Sequence, residues 1–266
     1  MSRSIALAVA LTATGLPACS DDENLPLDPE TSLQTCILCG PDGQTLNPYL
    51  EQFRDEAYDD HNDGLEDVLL GLQLAAGGGT LSTPEAEAIA EPRIRDFLAA
   101  RGYAVPDGYW TDVTEAQDRF VNGQDIVYHY GSGRLSTDAL NLVRDLLEVV
   151  DHPDPRPTGI VASDLELLLS TAEELLYGEE LEGFARVVGI AQGSNDYWRS
   201  SSNALIAWDA ALGSADMSDV AACGWRMLGG DVIGGAFGFL CGGPIGGGSW
   251  CCCGLNRRCC TLRANL

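Results

Sequence analysis

From Val232 to Leu255 the chain runs for 24 residues without a charged side chain, and Gly230, Gly234, Gly238, Gly242 and Gly246 fall four apart along it. A repeated G-x-x-x-G spacing puts a smooth groove on one helix face, against which a second helix can pack closely. Each interior glycine costs ~1 kcal/mol relative to alanine, so the segment has no stability as a free helix in water. It must pack against protein or enter lipid. Its length is nominally enough to cross a bilayer, but Pro244 would break or kink a continuous helix. A bent or hairpin-like insertion is therefore favoured over a straight span, and the alternative is a segment folded into the chain's own core.

The rest of the chain has the opposite electrostatic character. Forty of the 266 residues are acidic and 15 are basic, for a formal net charge of -25, and every base is an arginine. Without lysine there is no P-loop lysine, no Schiff-base lysine and no pyridoxal chemistry of the usual kind. Phosphate backbones are bound by cationic side chains, so a nucleic-acid partner is not expected. Residues 221–266 carry one acid, Asp231, against Arg226, Arg257, Arg258 and Arg263, while residues 19–220 carry 39 acids and 10 arginines. This asymmetry suggests two jobs. The acid excess has a second explanation as well: solubility in a salt-rich habitat needs no cationic ligand.

The first residues read as an address. Arg3 precedes an uncharged run from Ile5 to Leu16, which suits a secretory signal over residues 1–18 and is too short to span a bilayer. The run closes on Leu16-Pro17-Ala18-Cys19, which resembles the lipobox of bacterial lipoproteins. The resemblance implies that Cys19 receives a lipid and becomes the first residue, placing the protein in the cell envelope at the outer membrane or cell surface. Acyl chains contribute ~0.8 kcal/mol per buried methylene, and several make a stable anchor. The alternative is ordinary secretion, with Cys19 in a disulfide. Residues 19–46 contain Ser20-Asp21-Asp22-Glu23 and three prolines without apolar periodicity, and read as an acidic tether.

Residues 47–220 show apolar side chains at spacings of three and four. Asn47-Pro48 predicts the start of a helix bearing Leu50, Phe53, Ala57, His61, Leu65, Val68 and Leu72, with a kink at Gly64. Thr83-Pro84-Glu85 opens a second that Gly102 stops. Asp112 with Glu115 resembles a capping box for a third, ending near Asn122-Gly123, whereas Ile126 to Tyr130 is ambiguous. Ser136 precedes a helix with Leu140, Val143, Leu147 and Val150, and a proline-rich linker spans residues 151–157. Beyond it, Ser163 and Glu166 form an S-x-x-E box before Leu165, Leu169 and Leu176. Phe184, Val187, Val188 and Ala191 form a stripe closed by Gly193, and Leu205, Trp208 and Leu212 form another. No alternating strand pattern occurs. The expected fold is all-α, an irregular helical bundle followed by a glycine-rich, hydrophobic, cysteine-rich tail over residues 221–266.

With Cys19 lipidated, nine cysteines are left as disulfide candidates: Cys36, Cys39, Cys223, Cys241, Cys251, Cys252, Cys253, Cys259 and Cys260. Four pairs and one free or intermolecular thiol is the simplest arrangement, with open connectivity. Cys36-x-x-Cys39 has no second half-site at zinc-ribbon spacing, so no metal is expected there. Asp59-Asp60-His61-Asn62-Asp63-Gly64 has the skeleton of a calcium loop, but the twelfth position is Leu70 where a bidentate glutamate is needed. A solvated acidic helix face is preferred. Only His61, His129 and His152 exist and no G-x-S-x-G occurs, so no catalytic residue and no cofactor are assigned. Glu173-Glu174 and Glu179-Glu180 read as surface charge.

Asn47-Pro48-Tyr49, His61-Asn62-Asp63-Gly64-Leu65, Ser194-Asn195-Asp196-Tyr197-Trp198 and the glycine-rich end together resemble an uncharacterised set of bacterial secreted proteins and lipoproteins. That set shares an H-N-x-G-L helix, an S-x-x-Y-W segment and a bacteriocin-like C-terminus. The resemblance implies that His61, Asn62, Gly64 and Trp198 are shared structural or binding residues; helix packing alone accounts for them equally. The leading expectation is a lipid-anchored, non-catalytic envelope protein. Its partners are membrane lipid and a second copy of itself, met through Gly230, Gly234, Gly238, Gly242 and Gly246. On that reading the body stays folded when the chain ends at Asp219. The alternatives are an envelope ligand-binding or structural module with the tail packed internally, and a metal- or thiol-dependent enzyme using Cys36, Cys39 or Asp59 to Asp63.

Overall fold

A computed structural model describes residues 47–103, 109–150, 155–199, 202–213 and 220–242, which form nine helices and no strand. All of them belong to one compact unit, Leu38–Leu266, distinct from Met1–Ile37. Residues 1–46, on which the signal and tether expectations and Cys19, Cys36 and Cys39 fall, and residues 243–266 with Gly246 and the cysteines from Cys251 onward lie outside the described residues. The all-α expectation holds.

Helix α1, Pro48–Ala76, starts where Asn47 Oδ1 accepts from the Tyr49 amide at 3.0 Å, and it closes on Gly77 in the left-handed conformation (φ 56°). It continues through Gly64. Helix α2, Thr83–Ala100, is opened by Ser82, whose amide and hydroxyl both donate to Glu85 at 2.8 and 2.6 Å. Those two bonds hold the exposed Glu85 carboxyl below its ordinary range. Helix α3, Tyr109–Val121, starts three residues before Asp112, so that residue lies inside the first turn and is not the cap. The ambiguous segment is helix α4, Ile126–Gly131, capped by Asp125 through the Tyr128 amide at 2.9 Å. Helix α5, Thr137–Val150, follows Ser136 as its spacing predicts.

Two further boundaries differ from the sequence expectation. Helix α6, Thr158–Leu175, begins directly after Pro157, whose fixed φ suits a helix start. Ser163 is therefore inside it, and its hydroxyl donates to the Gly159 carbonyl one turn back at 3.0 Å. Helix α7, Gly178–Arg199, runs straight through Gly193. That glycine provides space, not a stop: a Cβ there would lie 3.1 Å from the Tyr58 carbonyl oxygen of α1. Helix α8 is Ser202–Leu212, and helix α9, Val220–Gly242, ends two residues before Pro244.

Helix α7 is the hub, packed along α1, α6 and α9. Helix α9 is buried from Leu228 to Leu240 except for Gly229, which is half-buried. Val232, Ala236, Phe239 and Leu240 join α5, α6 and α7 in a first apolar cluster. A second gathers Leu65 to Leu72 of α1, Ala86 to Leu98 of α2, Trp198, and Leu205 and Trp208 of α8. Of the glycine ladder, Gly230, Gly234 and Gly238 are inside the protein and Gly242 is the last residue of α9. No helix among the described residues is long and apolar enough to cross a membrane.

A candidate functional site at the junction of the two clusters

Buried polar side chains must find partners, because an unmet donor or acceptor away from water costs about 1–3 kcal/mol. His61 of α1, Ser194 and Asn195 of α7 and Asp231 of α9 are the fully buried polar side chains among the described residues, each 0–2 % exposed. They lie where the two clusters meet: Leu50 of α1 belongs to the first and Leu65 to the second, with His61 between them. On α7, Ser194 and Asn195 likewise separate Ala191 from Trp198.

Asp231 is the centre of this layer. Its Oδ2 accepts from Ser194 Oγ at 2.7 Å and from Trp198 Nε1 at 2.7 Å. His61, with a proton on Nε2, is a third donor at 3.2 Å, while its Nδ1 faces Asn62 Oδ1 at 3.0 Å. Three donors from two helices thus converge on one carboxylate oxygen of a third. Asn195 is tied locally, donating to the Thr158 carbonyl at 3.3 Å and accepting from Arg199 at 2.7 Å. Tyr58, one turn before His61, donates to Asp196 at 3.0 Å. Burial and the neighbouring Asp196 charge push its phenol up to about 12.

A serine, a histidine and an aspartate in contact invite comparison with nucleophilic catalysis, which needs the serine hydroxyl hydrogen-bonded to the histidine. Here the serine donates to the aspartate, as does the histidine. The group is also closed to solvent. Its chemistry is that of a pin, in which a buried charge is satisfied only when α1, α7 and α9 are in register.

The surface beside it carries a cavity of about 580 Å³ lined in part by Glu56, Asp60, Arg101, Tyr103 and Arg186. Tyr103 donates to Asp60 at 3.0 Å and accepts from Arg186 at 3.2 Å, and burial raises its phenol to about 12. Arg101 reaches Asp60 at 2.5 Å and Asp63 at 3.1 Å and stacks 3.6 Å over the Phe97 ring. Asp59 to Gly64 are therefore part of α1, with two carboxylates held by arginine, and do not form a loop. Among the described residues no three His, Cys, Asp or Glu side chains are placed to hold one metal ion. Glu180 also has a local task, accepting from the Ser136 amide and hydroxyl at 2.7 Å each.

Of the disulfide candidates, Cys241 is a free, half-buried thiol whose pKa burial raises to about 11, which makes it a poor nucleophile. The side chain of Cys223 lies outside the described residues. His61 and Trp198, singled out by motif, are brought together on Asp231, and Asn62 adjoins them. Gly64 is buried one turn further along α1. Ser194 and Asp231 were not picked out individually from the sequence, although Asp231 has a signal there: it is the single acid among the last 46 residues.

No family model, curated protein or solved structure matches this chain.

Proposed function

We propose that the protein is a lipid-anchored, non-catalytic module of the bacterial cell envelope, in which an acidic helical body is held off the membrane by a tether from Cys19. The observation that carries the modular reading is the placement of α9. The glycine-rich helix is buried over Leu228 to Leu240, apart from the half-buried Gly229, and is pinned through Asp231, so it supports an internal packing role over one of contact with lipid or a second copy. A tail that met lipid through Gly230, Gly234 and Gly238 would first have to leave this core.

The anchor is tested by feeding cells an alkyne-tagged fatty acid and fractionating them. The wild-type chain should carry the tag and sediment with membranes, and Cys19→Ser should lose the tag and appear in the soluble fraction. A Cys19→Ser chain that stays membrane-bound would overturn this reading and return attention to the glycine-rich segment.

A further inference from the structure

Between α1 and α8 lies an open groove of about 740 Å³, lined by Leu69, Leu70 and Ala207 and edged by Asp63, Glu66 and Asp67, of which Asp63 is paired with Arg101 and Asp67 with Arg93. Leu70 is 53 % exposed, and Leu74 one turn along the same face is 72 % exposed. Apolar side chains of this size beside an acidic edge leave room for a cover, and Glu66 favours a cationic one. The 24 residues after Gly242 have that chemistry: they contain no acid, Arg257, Arg258 and Arg263 are their charges, and Leu255, Leu262 and Leu266 fall among them. An extended chain covers about 3.3 Å per residue, so the fifteen residues from Gly242 to Arg257 reach up to about 50 Å, farther than the groove's distance across a body of this size.

We infer that the α1/α8 groove is the docking site of the protein's own C-terminal segment, residues 251–266, with leucines against Leu70 and arginines against Glu66 at its edge. Docking there brings the tail's arginines to an acidic edge of the body. It also places the cysteine-rich end against the folded body, and salt weakens it because the charge pairs are at the surface. The inference concerns a surface that the anchoring reading leaves unassigned and does not depend on that reading.

Amide hydrogen exchange of the full chain, cysteines oxidised, tests it. Peptides from residues 251–266 and from α8 should both exchange at least tenfold faster in Leu70→Glu and in an Arg257→Glu/Arg258→Glu/Arg263→Glu variant, and in wild type at 1 M salt. Peptides from 184–198 should not change, which shows that the core is intact. Tail exchange unaffected by Leu70→Glu with the core intact would overturn the inference. So would groove protection that persists in the arginine variant and falls on dilution, because the occupant would then be a second copy.

Discussion

Asp231 concentrates three hydrogen bonds on one oxygen, and its substitution removes the acceptor that the buried donors of Ser194 and Trp198 share with His61. Breaking one partner out of a buried charged group costs about 3–5 kcal/mol. Asp231→Ala should therefore lower the unfolding free energy by that amount in urea titration, and Asp231→Asn by less, since one oxygen remains to accept. In the background of Asp231→Ala, Ser194→Ala should add little, because the interaction it removes is already gone. A loss under about 1 kcal/mol for Asp231→Ala would mean that water or a rearranged neighbour satisfies the donors. The sequence hinted at this layer through His61 and Trp198, which sit in recognisable short motifs. It concealed that both address the same acid, because their partner is 170 residues from His61 and pairing at that distance leaves no local pattern.

Helices announce themselves through the apolar faces they bury, and the stripes of α1, α2, α5 and α8 were legible for that reason. Boundaries were less so. Ser163-x-x-Glu166 satisfies the letter of a capping box, yet Pro157 starts the helix earlier and Glu166 is drawn to Arg54 at 3.1 Å. Gly193 resembles a helix stop, but with Gly189 it makes a G-x-x-x-G pair that lets α7 lie against the backbone of α1. A Cβ on Gly189 would come within 2.2 Å of the Arg54 carbonyl oxygen. A close-packing glycine pair set against another helix backbone is thus found in α7. Gly189→Ala should destabilise by about 1–3 kcal/mol through overpacking. Gly159→Ala on α6, where a Cβ meets nothing within 4 Å, should instead stabilise by up to about 1 kcal/mol through helix propensity. Thermal unfolding of the two variants side by side checks this, and equal responses would refute the close-approach argument.

At the scale of the molecule, α9 completes the first cluster between α5, α6 and α7. A chain ending at Asp219 loses Val232, Ala236, Phe239 and Leu240 from that cluster and removes the acceptor of Ser194. It should give no cooperative unfolding transition by circular dichroism, where the full chain gives one; a truncated chain that unfolds cooperatively would make the tail a separate part after all. The sequence left both outcomes open because a hydrophobic, glycine-rich helix has the same composition whether its surroundings are lipid or leucine, and only the neighbours decide.

The order of elements along the chain has a consequence for biogenesis. The helix that closes the core is the last one described, and the bond joining it to α1 spans 170 residues. Until Asp231 has been synthesised, the acceptor that joins Ser194 and Trp198 to His61 is missing. Final tightening of the described body therefore waits on its last helix, whatever order the earlier helices form in.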